Sequence, residues 1–211
     1  MTAQAAAAPV AMHRALPPEE AARANFYALL ARLVNAPPDG ALLHRIAAAG
    51  PLEAEGEPEL ARAWRELVAA SSVMDADAAA EEHEALFATM GKQVVALYAG
   101  AYTGAPAAEH PRVRIRADLV ALGLAPRPGA TEPEDHLGGL LEAMRVLVGG
   151  GAGRDAAPLA DQRRFFQAHV GPAAARFFAA LARAQPANYY RKVAALGAAF
   201  VALESESFSL D

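Results

Sequence analysis

The chain has 211 residues, a length that fits one large domain better than two small ones. Hydrophobic residues make up 54% of it, and Ala supplies about half of them, so the larger core-builders suffice for one core in a chain biased to helix. The absence of Cys excludes a disulfide scaffold, a Cys-ligated metal site and thiol catalysis. A net charge of −5, with the basic residues spread and unclustered, argues against a nucleic-acid-binding surface. No apolar run approaches the ~20 residues needed to cross a bilayer. Met1–Pro9 also lacks the basic stretch of a secretory signal. The expectation is a soluble, cytoplasmic protein without membrane insertion.

The first sixteen residues read as a loose extension. Pro17-Pro18 then opens a helix with Glu19 and Glu20 in its first turn, where the helix dipole favours acid. Phe26, Leu29, Leu30 and Leu33 recur at helical spacing and predict a buried stripe, and Ala36-Pro37-Pro38 ends it. Asp39 is placed to cap a short helix to about Ala49, stopped by Gly50-Pro51. A third helix fits Glu57–Val73, with Leu60, Trp64, Leu67 and Val68 on one face. A fourth fits Asp75–Thr89, capped by Asp75 or Asp77. Gly91–Gly104, with three glycines and two tyrosines, predicts extended or irregular chain. Helices resume at about Pro111–Leu122, Glu132–Val148, Leu159–Val170, Pro172–Ala184 and Pro186–Glu204. Gly149–Gly153 reads as a flexible linker and 205–211 as a tail. The sum is an all-α, single-domain bundle of roughly eight helices over residues 17–204.

Two segments draw attention for chemistry. In Thr131-Glu132-Pro133-Glu134-Asp135-His136, Thr131 and Glu134 have the spacing of a capping box, and Pro133 suits a first turn. A well-made helix start accounts for those three residues without needing Asp135 and His136. Three acids and His136 within five residues also make a concentrated polar cluster, with Glu132 and His136 four apart on one helix face. In the second segment, an extended chain would point Tyr98, Gly100 and Tyr102 to one side. Small residues around two tyrosines suit a recognition surface, or a loop that covers the core.

Arg112, Arg114 and Arg116 alternate. On a helix they spread over more than one face, solvated or paired with an acid such as Asp118. The six histidines form no His-x-x-x-His or Glu-x-x-His pair, which supports neither a zinc protease nor a di-iron bundle. His83 among Glu81, Glu82 and Glu84 reads as a solvated helix face. No Gly-rich phosphate loop and no Gly-x-Ser-x-Gly elbow occurs. The expectation is a protein that is not an enzyme and uses no cofactor or metal.

These residues, in this order, resemble the TorD/DmsD/NarJ family of cytoplasmic chaperones for molybdenum-containing redox enzymes. The most specific match is Glu132-Pro133-Glu134-Asp135-His136, similar to the family's Glu-Pro-x-Asp-His signature. Tyr98-Ala99-Gly100-Ala101-Tyr102 resembles its second motif, with Gly100 where Ser is usual. Weaker matches are Arg23-x-x-Phe-Tyr-x-x-Leu, Leu86-Phe87, Arg116-x-Asp118-Leu119 followed by Leu122-Gly123-Leu124, Phe165-Phe166-x-x-His169, and Tyr190.

The resemblance implies an all-helical fold, in some members a domain-swapped homodimer. It also implies binding of the twin-arginine leader, or the apo form, of a molybdopterin-containing oxidoreductase before export. Tyr98, Gly100, Tyr102, Arg116, Glu132, Pro133, Glu134, Asp135 and His136 are the candidate leader-binding residues. An acidic cluster beside an aromatic-edged groove suits two arginines followed by an apolar stretch. His136 would tune affinity near neutral pH, and binding should weaken with salt. Client candidates are formate dehydrogenase, dimethyl sulfoxide or trimethylamine N-oxide reductase, and nitrate reductase. The full Glu-Pro-x-Asp-His signature points to the exported-enzyme branch. The alternative is a helical scaffold, or a nucleotide-binding protein: some family members have been linked to guanine nucleotide, although no phosphate cradle is evident in this sequence.

Overall fold

The computed structural model describes residues 16–52, 56–87, 93–103, 111–126, 129, 131–151 and 153–210. Most of the expected N-terminal extension lies outside them. The protein is all-α, with no strand among the described residues.

Helix α1 spans Pro18–Asn35, with Pro18 in its first turn and Glu19 and Glu20 beside it. Its fully covered side is Tyr27, Leu30, Ala31, Leu33 and Val34, while Phe26 and Leu29 are only partly buried. The predicted stripe is therefore rotated by part of a turn, because the phenol of Tyr27 finds a buried partner and so can enter the core. Arg32 Nη1 donates to the carbonyls of Ala36 (3.0 Å) and Pro37 (2.9 Å), covering the helix end. Asp39 caps α2 (Gly40–Ala47) as expected, its Oδ1 accepting from the Leu42 amide at 2.7 Å.

α3 (Pro58–Ser71) and α4 (Ala76–Phe87) follow. Of the two candidate caps of α4, Asp75 is the one used, accepting from the amides of Asp77 (2.9 Å) and Ala78 (3.2 Å). A four-residue turn, α5 (Gly100–Thr103), interrupts the irregular stretch, and α6 is Pro111–Ala121. α7 (Leu137–Gly149) lies along α1 and buries Leu137, Leu140, Leu141, Met144, Leu147 and Val148. Each such Leu contributes about 2 kcal/mol by leaving water.

The expected flexible linker at Gly149–Gly153 is instead a hydrogen-bonded turn. Gly151 and Arg154 exchange backbone bonds of 3.0 and 2.9 Å, and Gly150 takes a positive φ of 72°. A Cβ on Gly150 would lie 2.6 Å from the Arg154 carbonyl, so only glycine fits there.

Helix α8 (Leu159–Phe165) does not stop before Pro172. It passes through a π-helical turn, Phe166–Val170, directly into α9 (Gly171–Arg183). Pro172 has no N–H to return to the preceding turn and its ring crowds the carbonyl there. The chain answers with one wider turn, in which the Gly171 amide reaches back to Phe166 O.

The last helix, α10 (Tyr189–Leu210), runs beyond the expected end at Glu204, through most of the anticipated tail. Phe208 anchors it, buried against Phe166 with ring centroids 5.1 Å apart. By length and composition α10 is apolar enough to cross a bilayer, which the sequence reading missed. It is a core helix, packed between α3 and α9. Gly197 lets α9 approach, since a Cβ there would sit 2.4 Å from the Phe178 ring.

Two polar devices tie the bundle together. Glu204 of α10, buried at 2% exposure, receives a two-pronged bond from Arg23 of α1 (2.7 and 2.8 Å) and the hydroxyl of Tyr27 (2.7 Å). Glu82 of α4 accepts from the amides of Asn188, Tyr189 and Tyr190 at 2.7–3.0 Å, capping α10 from another helix. The acidic run around His83 is thus not simply a solvated face. Glu82 is a cap, and His83 packs its ring on Phe87 (4.9 Å) and Tyr190 (5.6 Å).

Candidate functional site

The helix expected from Glu132 begins five residues later, at Leu137. The capping box of Thr131 and Glu134 does not form; His136 occupies the N-cap position without a side-chain cap. A tertiary pairing takes the backbone instead. Ala99 N–H donates to Asp135 O and Leu137 N–H to Leu97 O, both at 2.8 Å, so Tyr98 and His136 face each other in an antiparallel bridge. Glu132 and His136 accordingly share no helix face.

This crossing joins the two segments singled out by sequence. The rings of Tyr98 and His136 meet edge-on at 5.7 Å. Gly100 lies against Asp135, where a Cβ would be 3.4 Å from Oδ2. The chain turns helical at Gly100, so Tyr98, Gly100 and Tyr102 do not line one extended edge. Tyr102 turns away: its hydroxyl donates to Ala96 O at 2.7 Å, and its ring abuts Phe177. Burial pushes that hydroxyl's pKa up to about 12. Pro133 contributes its carbonyl to the His136 amide (3.0 Å), and Glu132 is exposed.

Helix α6 supplies the counter-charge. Arg116 Nε donates to Glu134 Oε1 at 2.6 Å, and Arg112 Nη2 lies 3.7 Å from Oε2 of the same carboxylate. Arg112 Nε also stands 3.6 Å from Asp135 Oδ1. That last pair is an ionic contact without a hydrogen bond: both atoms are buried and neither has a hydrogen-bond partner. The Glu134 carboxyl is held below its ordinary pKa by a hydrogen bond from its own backbone amide, and then by Arg116 and Arg112, against desolvation. Burial lowers the pKa of His136, opposed by the charges of Glu132 and Asp135.

The acids are thus not bare, and Arg116 is paired with Glu134 where Asp118 was the suggested partner. Asp118 instead contacts His169 on the π-turn, Oδ2 to Nε2 at 2.5 Å. Arg112 is the site residue that sequence reasoning left out. Its spacing of four from Arg116 places both on one helix face, which was the available signal. Arg154 was also missed. It bonds the carbonyls of Leu122 (2.6 Å) and Gly123 (3.1 Å) and so fixes the end of α6. Among the described residues, no group of three or more His, Asp or Glu is placed to hold a metal ion.

The all-α bundle thus brings a carboxylate pair, a histidine and a tyrosine together at one backbone crossing. The family model described as nitrate reductase delta subunit matches residues 53–179, more than half of the chain, and spans both crossing segments. The chain belongs to that family, the NarJ/TorD type of chaperones that mature molybdenum enzymes. No curated protein matches it at a significant level.

Proposed function

We propose that this chaperone binds the twin-arginine leader of a molybdopterin-containing oxidoreductase in the cytoplasm, and holds the apo-enzyme until its cofactor is inserted and export can proceed. The observation that carries this reading is the backbone crossing of Leu97–Ala99 with Asp135–Leu137, which gathers Tyr98, Gly100, Glu134, Asp135 and His136. Two carboxylates side by side match two adjacent guanidinium groups in charge and in fork geometry. Val113 and Val120 support the apolar half of the recognition. They stand 70% and 69% exposed, one above the other on α6, beside Arg116.

The test is the double variant Asp135→Asn, His136→Gln. Loss of leader binding by a variant that still melts cooperatively is the expected result. A variant that melts earlier yet binds the leader as before contradicts the assignment.

A further inference from the structure

The carboxylates of the crossing lie inside and their arginines outside. The side chain of Asp135 is 5% exposed and that of Glu134 16%, against 42% for Arg112 and 63% for Arg116. Buried carboxylates without counter-charge are strongly unfavourable, so the free protein requires resident cations at this place. It supplies two of them, from positions four apart on one helix face, for two adjacent acids. The match is incomplete. Asp135 Oδ1 has no hydrogen-bond partner, and the Arg112 Nε facing it has none either. The backbone of α6 is held independently of these pairs, by buried Ile115 and by Arg154 on the carbonyls of Leu122 and Gly123 just past its end. Arg112 and Arg116 can therefore swing into solvent without unseating the helix.

We infer that Arg112 and Arg116 are internal surrogates for the arginine pair of the ligand, so that recognition is an exchange of guanidinium groups over Glu134 and Asp135. This rests on the leader-binding reading above. An incoming peptide with two adjacent arginines displaces both residents and supplies the hydrogen bond that Asp135 Oδ1 lacks. The displaced guanidiniums regain full hydration. A partner offering one arginine, or lysines that cannot fork, leaves a buried carboxylate worse matched than the residents do. The surrogates thus impose a threshold that rejects weakly cationic peptides. The number of ion pairs is the same before and after exchange. Affinity in the wild type therefore depends only weakly on salt, unlike a simple charge-capture site, whose binding weakens with salt.

The test is calorimetric titration with a synthetic twin-arginine leader peptide and its Lys–Lys counterpart, at low ionic strength and where the Debye length falls to about 8 Å. Wild type is compared with Arg112→Gln/Arg116→Gln, and with Arg116→Gln alone, which alters only a largely exposed side chain and keeps the comparison valid if the double variant folds poorly. Removing the surrogates should tighten Arg–Arg binding roughly fivefold to tenfold. It should also steepen the salt dependence and narrow the preference over Lys–Lys. Unchanged or weaker binding by the variants, with the wild type binding the leader, overturns the exchange and leaves the leader reading intact. Failure of every protein to bind the leader overturns both.

Discussion

Tyr98 and His136 sit across one antiparallel backbone bridge with their rings edge-on at 5.7 Å. Two stretches that read separately in sequence are thereby joined at one crossing. The same pairing displaces the start of α7 to Leu137 and leaves Glu132–Asp135 as a turn whose Glu134 and Asp135 face α6.

Burial at this bridge makes stability pH-dependent. The folded protein holds His136 neutral below the pH at which the unfolded chain protonates it, near the ordinary value of 6.5. The unfolded state therefore binds more protons as pH falls, and stability that is complete above about 6.5 is lost below it. The charges of Glu132 and Asp135 reduce this loss without reversing it, and half-buried His83 adds to it in the same direction. Urea midpoints at about pH 7.5 and pH 5.5 should differ less in His136→Gln than in the wild type. An equal difference in the two proteins would show that His136 does not carry this dependence.

Gly100 marks a second test. A side chain there meets Asp135 Oδ2 at 3.4 Å, ordinary contact, and the residue opens a helical turn without needing a positive φ. Gly100→Ser should fold and gain about 0.5–1 kcal/mol, from lower chain entropy in the unfolded state and a hydroxyl within reach of the carboxylate. A melting temperature several degrees below wild type would mean that the crossing is tighter than described.

The bundle was legible in sequence because its signals are local. Pro18, Asp39 and Asp75 mark helix starts, and the Leu and Phe spacing marks buried faces. What was not legible depends on contacts distant in sequence. The helix start at Leu137 is set by Leu97, and the passage through Pro172 is set by a π-turn. Glu82, read as part of a solvated run, finds the amides of Asn188, Tyr189 and Tyr190 only after folding. At the site, the signature residues themselves stood out. Their pairing with Arg112 and Arg116 did not, since nothing local links α6 to the turn before α7.

Capping of α10 by Glu82 gives a stability prediction. Glu82→Ala leaves three amides at a helix start without their carboxylate and should cost about 2 kcal/mol. For a chain of this size that lowers the melting temperature by roughly 4–8 °C. Glu81→Ala and Glu84→Ala, at exposed positions, should change stability by less than about 0.5 kcal/mol. Equal effects at all three positions in thermal melts would remove the special role of Glu82.

The Arg23–Glu204 pair predicts a larger loss with a specific rescue. Arg23→Met strands a buried carboxylate that keeps only the Tyr27 hydroxyl as a strong partner, costing about 3 kcal/mol. Adding Glu204→Gln neutralises the stranded charge while retaining an acceptor for Tyr27, and should recover most of the loss. Additive destabilisation in the double variant would contradict this coupling.

The central claim, that the Tyr98–His136 crossing receives a twin-arginine leader, is tested most directly by titrating the purified protein with leader peptides of the molybdoenzymes encoded in its own genome. Each would be paired with a Lys–Lys control. Micromolar or tighter binding to one leader, lost in its control and in Asp135→Asn/His136→Gln, is the predicted result and identifies the client. Absence of binding across the whole set, by a protein that melts cooperatively, would contradict it.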